Sequence, residues 1–234
     1  GRVKNIPQFC EIEAYEMKYC WIILIYLLFL GSVGQLVAEE KDLLQLIQKQ
    51  YQSIRSFSGR FIQSSHRADT ETGPKKAEGL VSYKRPGKMR WLYEAPEEQL
   101  LVTNGQTMWL YDPLLENVTV QKLEKITEGT ALSFLLGLGN LQADFIHREI
   151  SKNLLIGQDG LIVELEPKKS TANLAFIQLN VHPETYNLQT IALMDQQDNY
   201  RTIQLMNMKY NLEIEDNFFE FTVTNDMEVI EAGN

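Results

Sequence analysis

From Leu43 onward the apolar residues Leu43, Leu44, Ile47, Tyr51 and Ile54 recur three and four positions apart. That spacing predicts one amphipathic helix. Asp42 and Gln45 stand where a capping pair would start it. At Phe57 the period changes to short runs rich in Val, Ile, Thr, Tyr, Phe and Trp, broken at intervals by turn residues. About ten antiparallel strands in a meander are expected from this pattern.

The punctuation is specific. Thr72-Gly73-Pro74, Arg85-Pro86-Gly87, Asn104-Gly105, Gln158-Asp159-Gly160 and Gln196-Gln197-Asp198 each separate two strand-like runs. Asn104-Gly105 is the strongest hairpin signal, because both residues tolerate the positive φ of a tight two-residue turn. One run departs from the alternation. Thr130 to Leu141 (TALSFLLGLGNL) is apolar on nearly every side, so as a helix it must be buried on two faces or cover something apolar. Glycines at 129, 137 and 139 weaken it and would let it move. By composition it reads equally well as a short core helix.

The N-terminal region has a different character. Trp21 to Val33 is an unbroken apolar run, preceded by Met17 and Lys18 and followed by small and polar residues up to Val37, Ala38 and Glu39. This is the order of a signal peptide, and the run is short for a membrane span. The expected organisation is therefore 1–38 as a removed export signal with the segment before it, and 39–234 as one domain. The three glutamates among residues 1 to 16 suit an export leader poorly, so translation is expected to start at Met17. Cys10 and Cys20 both fall before the expected cleavage point. The exported part then has no disulfide, thiolate ligand or Cys nucleophile, and no lipid-attachment cysteine.

Charge narrows the function classes. The net charge is −9, and the first 38 residues contribute nothing to it, since Arg2, Lys4 and Lys18 offset Glu11, Glu13 and Glu16. An acidic chain with scattered cations makes a poor nucleic-acid reader and a poor ligand for an anionic membrane surface. His66, His147 and His182 are far apart, with no metal-ligand spacing. Nucleophile-elbow, phosphate-loop and dinucleotide motifs are absent from the sequence, so neither an enzyme nor a cofactor is expected. The carboxylate pairs Glu97-Glu98 and Glu164 with Glu166 read as solvated faces.

The stretch Tyr83 to Asn117 concentrates aromatic and bulky aliphatic residues on three consecutive strands. Met89, Trp91 and Tyr93 share one face of theirs, as do Thr107, Trp109 and Tyr111, while Leu92, Met108 and Leu110 occupy the alternate faces. A sheet apolar on both sides must be covered on both, as by a core on one side and a helix-capped cavity on the other.

With these residues in place, the chain resembles the outer-membrane lipoprotein carrier family, LolA, from the opening helix to Ile230. The resemblance rests on Phe57, Phe61 and Gln63; on Lys84-Arg85-Pro86, Arg90-Trp91, Tyr93 and Pro96; and on Asn104-Gly105 with Trp109, Tyr111, Asp112 and Pro113. Leu165 to Pro167, Asp195 and Phe219 to Phe221 add to it. It implies a mainly β fold, an unclosed antiparallel barrel with a helical lid over an apolar cavity. It also implies a periplasmic, monomeric carrier that takes acylated lipoproteins from an inner-membrane ABC transporter and hands them to the outer-membrane receptor LolB. Met89, Trp91, Leu101 and Trp109, with Leu132, Phe134, Leu135 and Leu136 of the lid, are the candidate cavity lining. Each of them could equally be ordinary core. Arg85 matches the family arginine that holds the empty cavity closed through the lid backbone; its sequence context alone would make it a solvated residue beside a turn. A lipid-binding periplasmic sensor and an esterase with a similar cavity are the competing readings.

Overall fold

The computed structural model describes residues 43–70, 73–124, 136, 138–169 and 173–231. The chain divides into two units, 1–44 and 45–234. The expected export signal, its cleavage point and the start at Met17 fall outside the described residues, as do Asp42 and most of the expected lid.

Helix α1 covers residues 43–53. Its apolar stripe is buried at Ile47 and Tyr51, and Ile54, just past the helix, is buried as well. Twelve strands follow: β1 (Ser56–His66), β2 (Lys75–Lys84), β3 (Lys88–Ala95), β4 (Gln99–Asn104), β5 (Thr107–Asp112), β6 (Asn117–Lys122), β7 (Phe145–Arg148), β8 (Leu161–Pro167), β9 (Phe176–Val181), β10 (Leu188–Met194), β11 (Tyr200–Tyr210) and β12 (Glu228–Glu231). They form one sheet in the order β12-β6-β5-β4-β3-β2-β1-β11-β10-β9-β8-β7, which leaves β7 and β12 as edges. The protein is thus mainly β, and the barrel does not close. Its strand count exceeds the ten expected, and both edge strands have only four residues, too few to show alternation. All neighbours pair antiparallel except β12, which runs parallel to β6.

The Asn104-Gly105 signal does mark a hairpin, but the turn differs from expectation. Gly105 alone takes a positive φ, at 94°, and the two-residue loop is Gly105-Gln106 between β4 and β5. Asn104 acts instead through its side chain, whose Oδ1 accepts the N–H groups of Gln106 and Thr107. A glycine in the first central position with φ above zero belongs to the II′ family of turns, which suits the twist of the flanking strands.

The expected helix from Thr130 to Leu141 does not run to its end. Residues 138–140 are irregular, and Asn140 caps a separate turn, α2 (Leu141–Asp144), by accepting the Ala143 N–H on Oδ1. A short polar side chain that bonds the backbone locally favours a helix start over a helix interior. Residues 125–135 and 137, and with them Leu132, Phe134 and Leu135, are outside the described residues.

Two covers sit on the face of the sheet opposite α1. Residues 149–160 lie over β8 to β10, and there Glu164, read from sequence as solvated, is buried. Its carboxylate accepts bonds from the Ser151 hydroxyl at 2.8 Å and from Gln178 Nε2 at 2.7 Å. Such bonds are what allow a polar group to stay buried. The second cover is a 3-10 turn, Asp216–Phe219, whose Phe219 is fully buried. Asp216 ties it to the β2–β3 hairpin, at 2.6 Å from Lys84 Nζ and 2.7 Å from Lys88 Nζ.

Hydrogen bonds from those two lysines hold the Asp216 carboxyl at about 2, below its ordinary 3.8. A carboxyl lowered on folding stabilises the fold above its unfolded value, and that contribution disappears as pH falls through the folded one. Amide exchange in residues 213–221 is therefore expected to accelerate between pH 4 and pH 2. In Asp216→Asn the exchange should be fast already at neutral pH and lack this acid step; an unaltered step in the variant would assign it to another group.

Candidate binding site

Cross-strand register decides which side chains share the inner face, the one on which α1 packs. Residues paired directly across an antiparallel ladder point to the same side. Phe57 faces Tyr83, which faces Met89, which faces Thr103; one step along, Val81 faces Trp91 and Trp91 faces Leu101. The tyrosine of α1 joins this set, with the Tyr51 and Tyr83 rings stacked at 6.2 Å and Phe57 and Tyr83 at 5.0 Å. Phe61 packs against Trp91 at 4.7 Å and against Tyr93 at 5.0 Å. The inner face is thus an aromatic and aliphatic surface contributed by α1 and the consecutive strands β1 to β4.

Met89 and Trp91 are buried on this face, and Leu101 stands there half-buried. Leu136 is also buried. Trp109 departs from the expected lining. It pairs with Val102, which pairs with Arg90, so it occupies the outer face with Tyr111, whose ring lies 5.4 Å from that of Phe221. Sequence alternation places Trp109 with Tyr111 correctly, but it cannot state which face of β5 continues the face of Trp91.

The chain at Leu136 and from Gly139 to Leu141 is held to the inner face and to α1 by residues the sequence did not single out. Tyr83 donates its hydroxyl to the Leu136 carbonyl at 3.2 Å. Gln48 of α1 accepts the Leu141 N–H at 2.9 Å and reaches the Gly139 carbonyl at 3.5 Å. Burial pushes the Tyr83 phenol above its usual range, an effect the Arg85 charge partly offsets, so it remains a donor throughout the physiological range. No periodicity marks a buried Tyr or Gln as a latch. The signal lay in their being polar at otherwise apolar positions.

Arg85 donates from Nη2 to the Tyr51 carbonyl at 3.1 Å and from Nε to the Ile54 carbonyl at 3.4 Å. These carbonyls belong to the end of α1, where a cation also meets the negative end of the helix dipole. The expected bonding to the lid backbone concerns residues outside those described.

Between α1 and the sheet, Tyr51, Ile54, Phe57, Val81, Ile191 and Tyr210 border an apolar crevice of about 20 Å³. Cavities that enclose lipid-sized ligands measure about 300–1,000 Å³. The crevice is therefore too small for an acyl chain, which could enter there only if α1 moved away from the sheet. Trp91 adds a polar detail to this face. Its Nε1 is buried and has no hydrogen-bond partner among the described residues, a state that costs about 1–3 kcal/mol.

Removing the Tyr83 hydroxyl tests the latch. Tyr83→Phe is expected to release the chain around Leu136 by about 1 kcal/mol, a roughly fivefold rise in its open population. Faster amide exchange or proteolysis there, with little change in the melting temperature, is the signature. Unchanged protection would show that the bond does not hold the cover.

Among the described residues no group of three or more His, Cys, Asp or Glu is placed to hold a metal ion, and no helix is long and apolar enough to cross a membrane. His182 spends Nδ1 on the backbone N–H groups of Glu184 and Thr185, and the His66 ring stacks on Tyr200 at 4.1 Å.

An open β-barrel with an apolar inner face, against which α1 and the chain at Leu136 are hydrogen-bonded, defines a class of binding proteins. Comparison with known proteins places the chain within that class. Residues 52–222 match the family model described as outer membrane lipoprotein carrier protein LolA, and the chain belongs to that family. It is 30% identical over 187 residues to an outer-membrane lipoprotein carrier protein of Legionella pneumophila (strain Lens), covering 80% of this chain and 88% of the relative. Against the protein of the same name in Pseudomonas aeruginosa (strain UCBPP-PA14) it is 30% identical over 154 residues, or 65% of this chain and 71% of that one. Among solved structures, an uncharacterized conserved protein from Thermus thermophilus superposes with a TM-score of 0.51 at 10% identity, covering 82% of this chain and 99% of that chain. This last likeness concerns the fold alone.

Proposed function

We propose that this protein is a non-enzymatic, monomeric periplasmic carrier. It accepts acylated lipoproteins released from the inner membrane by an ABC transporter, shields their acyl chains against the inner face of the barrel, and delivers them to an outer-membrane receptor of the LolB kind. The observation that carries the reading is an apolar inner face closed by a few hydrogen bonds, those of Tyr83, Gln48 and Arg85. Burial of a long acyl chain is worth on the order of 10 kcal/mol at about 0.8 kcal/mol per methylene, several times the cost of breaking such bonds. The cargo can therefore drive the opening, and the closing bonds recover part of that energy when it leaves. The orphaned Nε1–H of Trp91 supports the same reading, because the carbonyl of an acyl linkage is an acceptor that could reach an otherwise dry surface. The acidic chain, with its scattered cations, supports a role away from nucleic acid.

Incubation of the purified protein with spheroplasts tests the proposal. Acylated lipoproteins should appear in the soluble fraction as one-to-one complexes with it, and an unacylated control should not. Equal release of both forms would mean that acyl chains are not what is recognised.

A further inference from the structure

At the end of the barrel away from the last turn of α1, the inner face changes character. Successive cross-strand rows can be followed down β2, β1, β11 and β10. Gly79, Phe61 and Leu205 form one row, then Ala77, Gln63, Ile203 and Ile191, and finally Lys75, Ser65, Arg201 and Leu193. The last row carries two cations on either side of a serine. With adjacent strands about 5 Å apart, the Cα atoms of Lys75 and Arg201 stand about 10 Å apart with Ser65 between them. All three line a groove of about 660 Å³ that also includes Leu174 and Leu193.

The polar groups of the groove are arranged for an anion. Tyr93 donates its hydroxyl to Gln63 Oε1 at 3.2 Å, and Gln63 Nε2 donates to Ser65 Oγ at 3.3 Å. Ser65 Oγ is thereby an acceptor within the protein, and its own O–H is left to point outward. Neither Lys75 nor Arg201 has a carboxylate within ion-pair distance among the described residues. The lining also carries Asp195, whose carboxylate feels the Arg201 charge, and Arg67. Asp195 accepts from the Gln197 and Asn199 N–H groups and from Asn199 Nδ2, and Arg67 is bonded twice to Asp69. Arg67, Lys75 and Arg201 against Asp195 and the Asp69 bonded to Arg67 leave the groove one positive charge in excess, in a chain of net charge −9.

We infer that Lys75, Ser65 and Arg201 form a rim site for the carboxylate or phosphate of a single-chain anionic amphiphile, whose tail lies along Leu174 and Leu193 in the groove. This is a ligand class additional to lipoproteins. A fatty acid and a lysophospholipid would present the same head-group chemistry to the rim.

Binding of dodecanoate, lysophosphatidylglycerol and dodecanol to the purified protein tests the site, measured by calorimetry below the aggregation limit of each. The two anions represent the two sources, and the alcohol reports the apolar face alone. At least one anion is expected to bind about tenfold more tightly than dodecanol, and which of them does so assigns the head group. The double variant Lys75→Gln/Arg201→Gln should lose that preference while keeping its affinity for dodecanol and its melting temperature. The double variant Lys76→Gln/Lys209→Gln, which also removes two charges but from the opposite face, should keep the preference and so control for net charge. Equal binding of anion and alcohol by the unmodified protein would overturn the assignment, as would a preference that survives in the double variant. The test contains no lipoprotein, so its failure leaves the carrier reading standing, and failure of spheroplast release leaves the rim site standing.

Discussion

Replacing Gly79 by alanine is expected to destabilise the protein by about 3 kcal/mol or more. Gly79 lies in β2 beside the irregularity where β2 and β3 shift register, and it pairs with Tyr93 and Phe61. A Cβ there would overlap the Leu92 carbonyl oxygen and stand 2.9 Å from the Leu92 carbonyl carbon and 3.0 Å from Tyr93 Cα. All of these are backbone atoms, so no side chain can turn aside. Relief requires β2 and β3 to part, which would disturb Phe61 and Trp91, the centre of the inner face. Gly73→Ala is the control, because nothing lies within 4 Å of a Cβ at that position. Urea unfolding should show a large fall in midpoint for the first variant and almost none for the second. Similar midpoints would mean that the close approach of the two strands is not what the fold depends on.

Arg85→Leu is expected to accept cargo and fail to release it. The substitution removes the bonds to the Tyr51 and Ile54 carbonyls and leaves the apolar lining untouched. Charged hydrogen bonds of this kind contribute about 1.5–3 kcal/mol, so the closed, empty state should lose about tenfold or more in population relative to open states. In the proposed cycle, closure of the empty protein favours unloading, and weakening closure would make the loaded form the resting one. The variant should form normal complexes with acylated lipoproteins in the spheroplast assay and then transfer them poorly to the receptor. Normal transfer would show that these bonds are structural only. Tyr83→Phe weakens the closed state by a single neutral bond and should have the same defect in milder form.

Much of the fold was legible in local signals, because strands and turns announce themselves over a few residues. The alternation through Met89, Trp91 and Tyr93, the glycine at 105 and the stripe of Ile47, Tyr51 and Ile54 each report a backbone conformation that a short segment can enforce. The inner face was legible only in part. Met89, Trp91 and Leu101 do share it, whereas Trp109 turns outward. Alternation assigns residues within one strand to two sides without naming the sides, and naming them takes the register with a neighbour. The latch residues Tyr83 and Gln48 were missed for a related reason. A polar residue at an apolar position shows where a bond is needed but not where its partner lies, and Leu136 is 53 residues from Tyr83.

The amino-acid sequence by itself determined the class of fold, the acidic character and the family, since these follow from periodicity, composition and the order of short motifs. The tertiary structure alone decided which faces meet, that Arg85 seats on the end of α1, and that Lys75, Ser65 and Arg201 stand in one row. Arg85 lies 31 and 34 positions from its partners on α1, and Arg201 more than a hundred positions from Ser65 and Lys75, a row that only the pairing of β1 with β11, set by packing across the whole sheet, brings together.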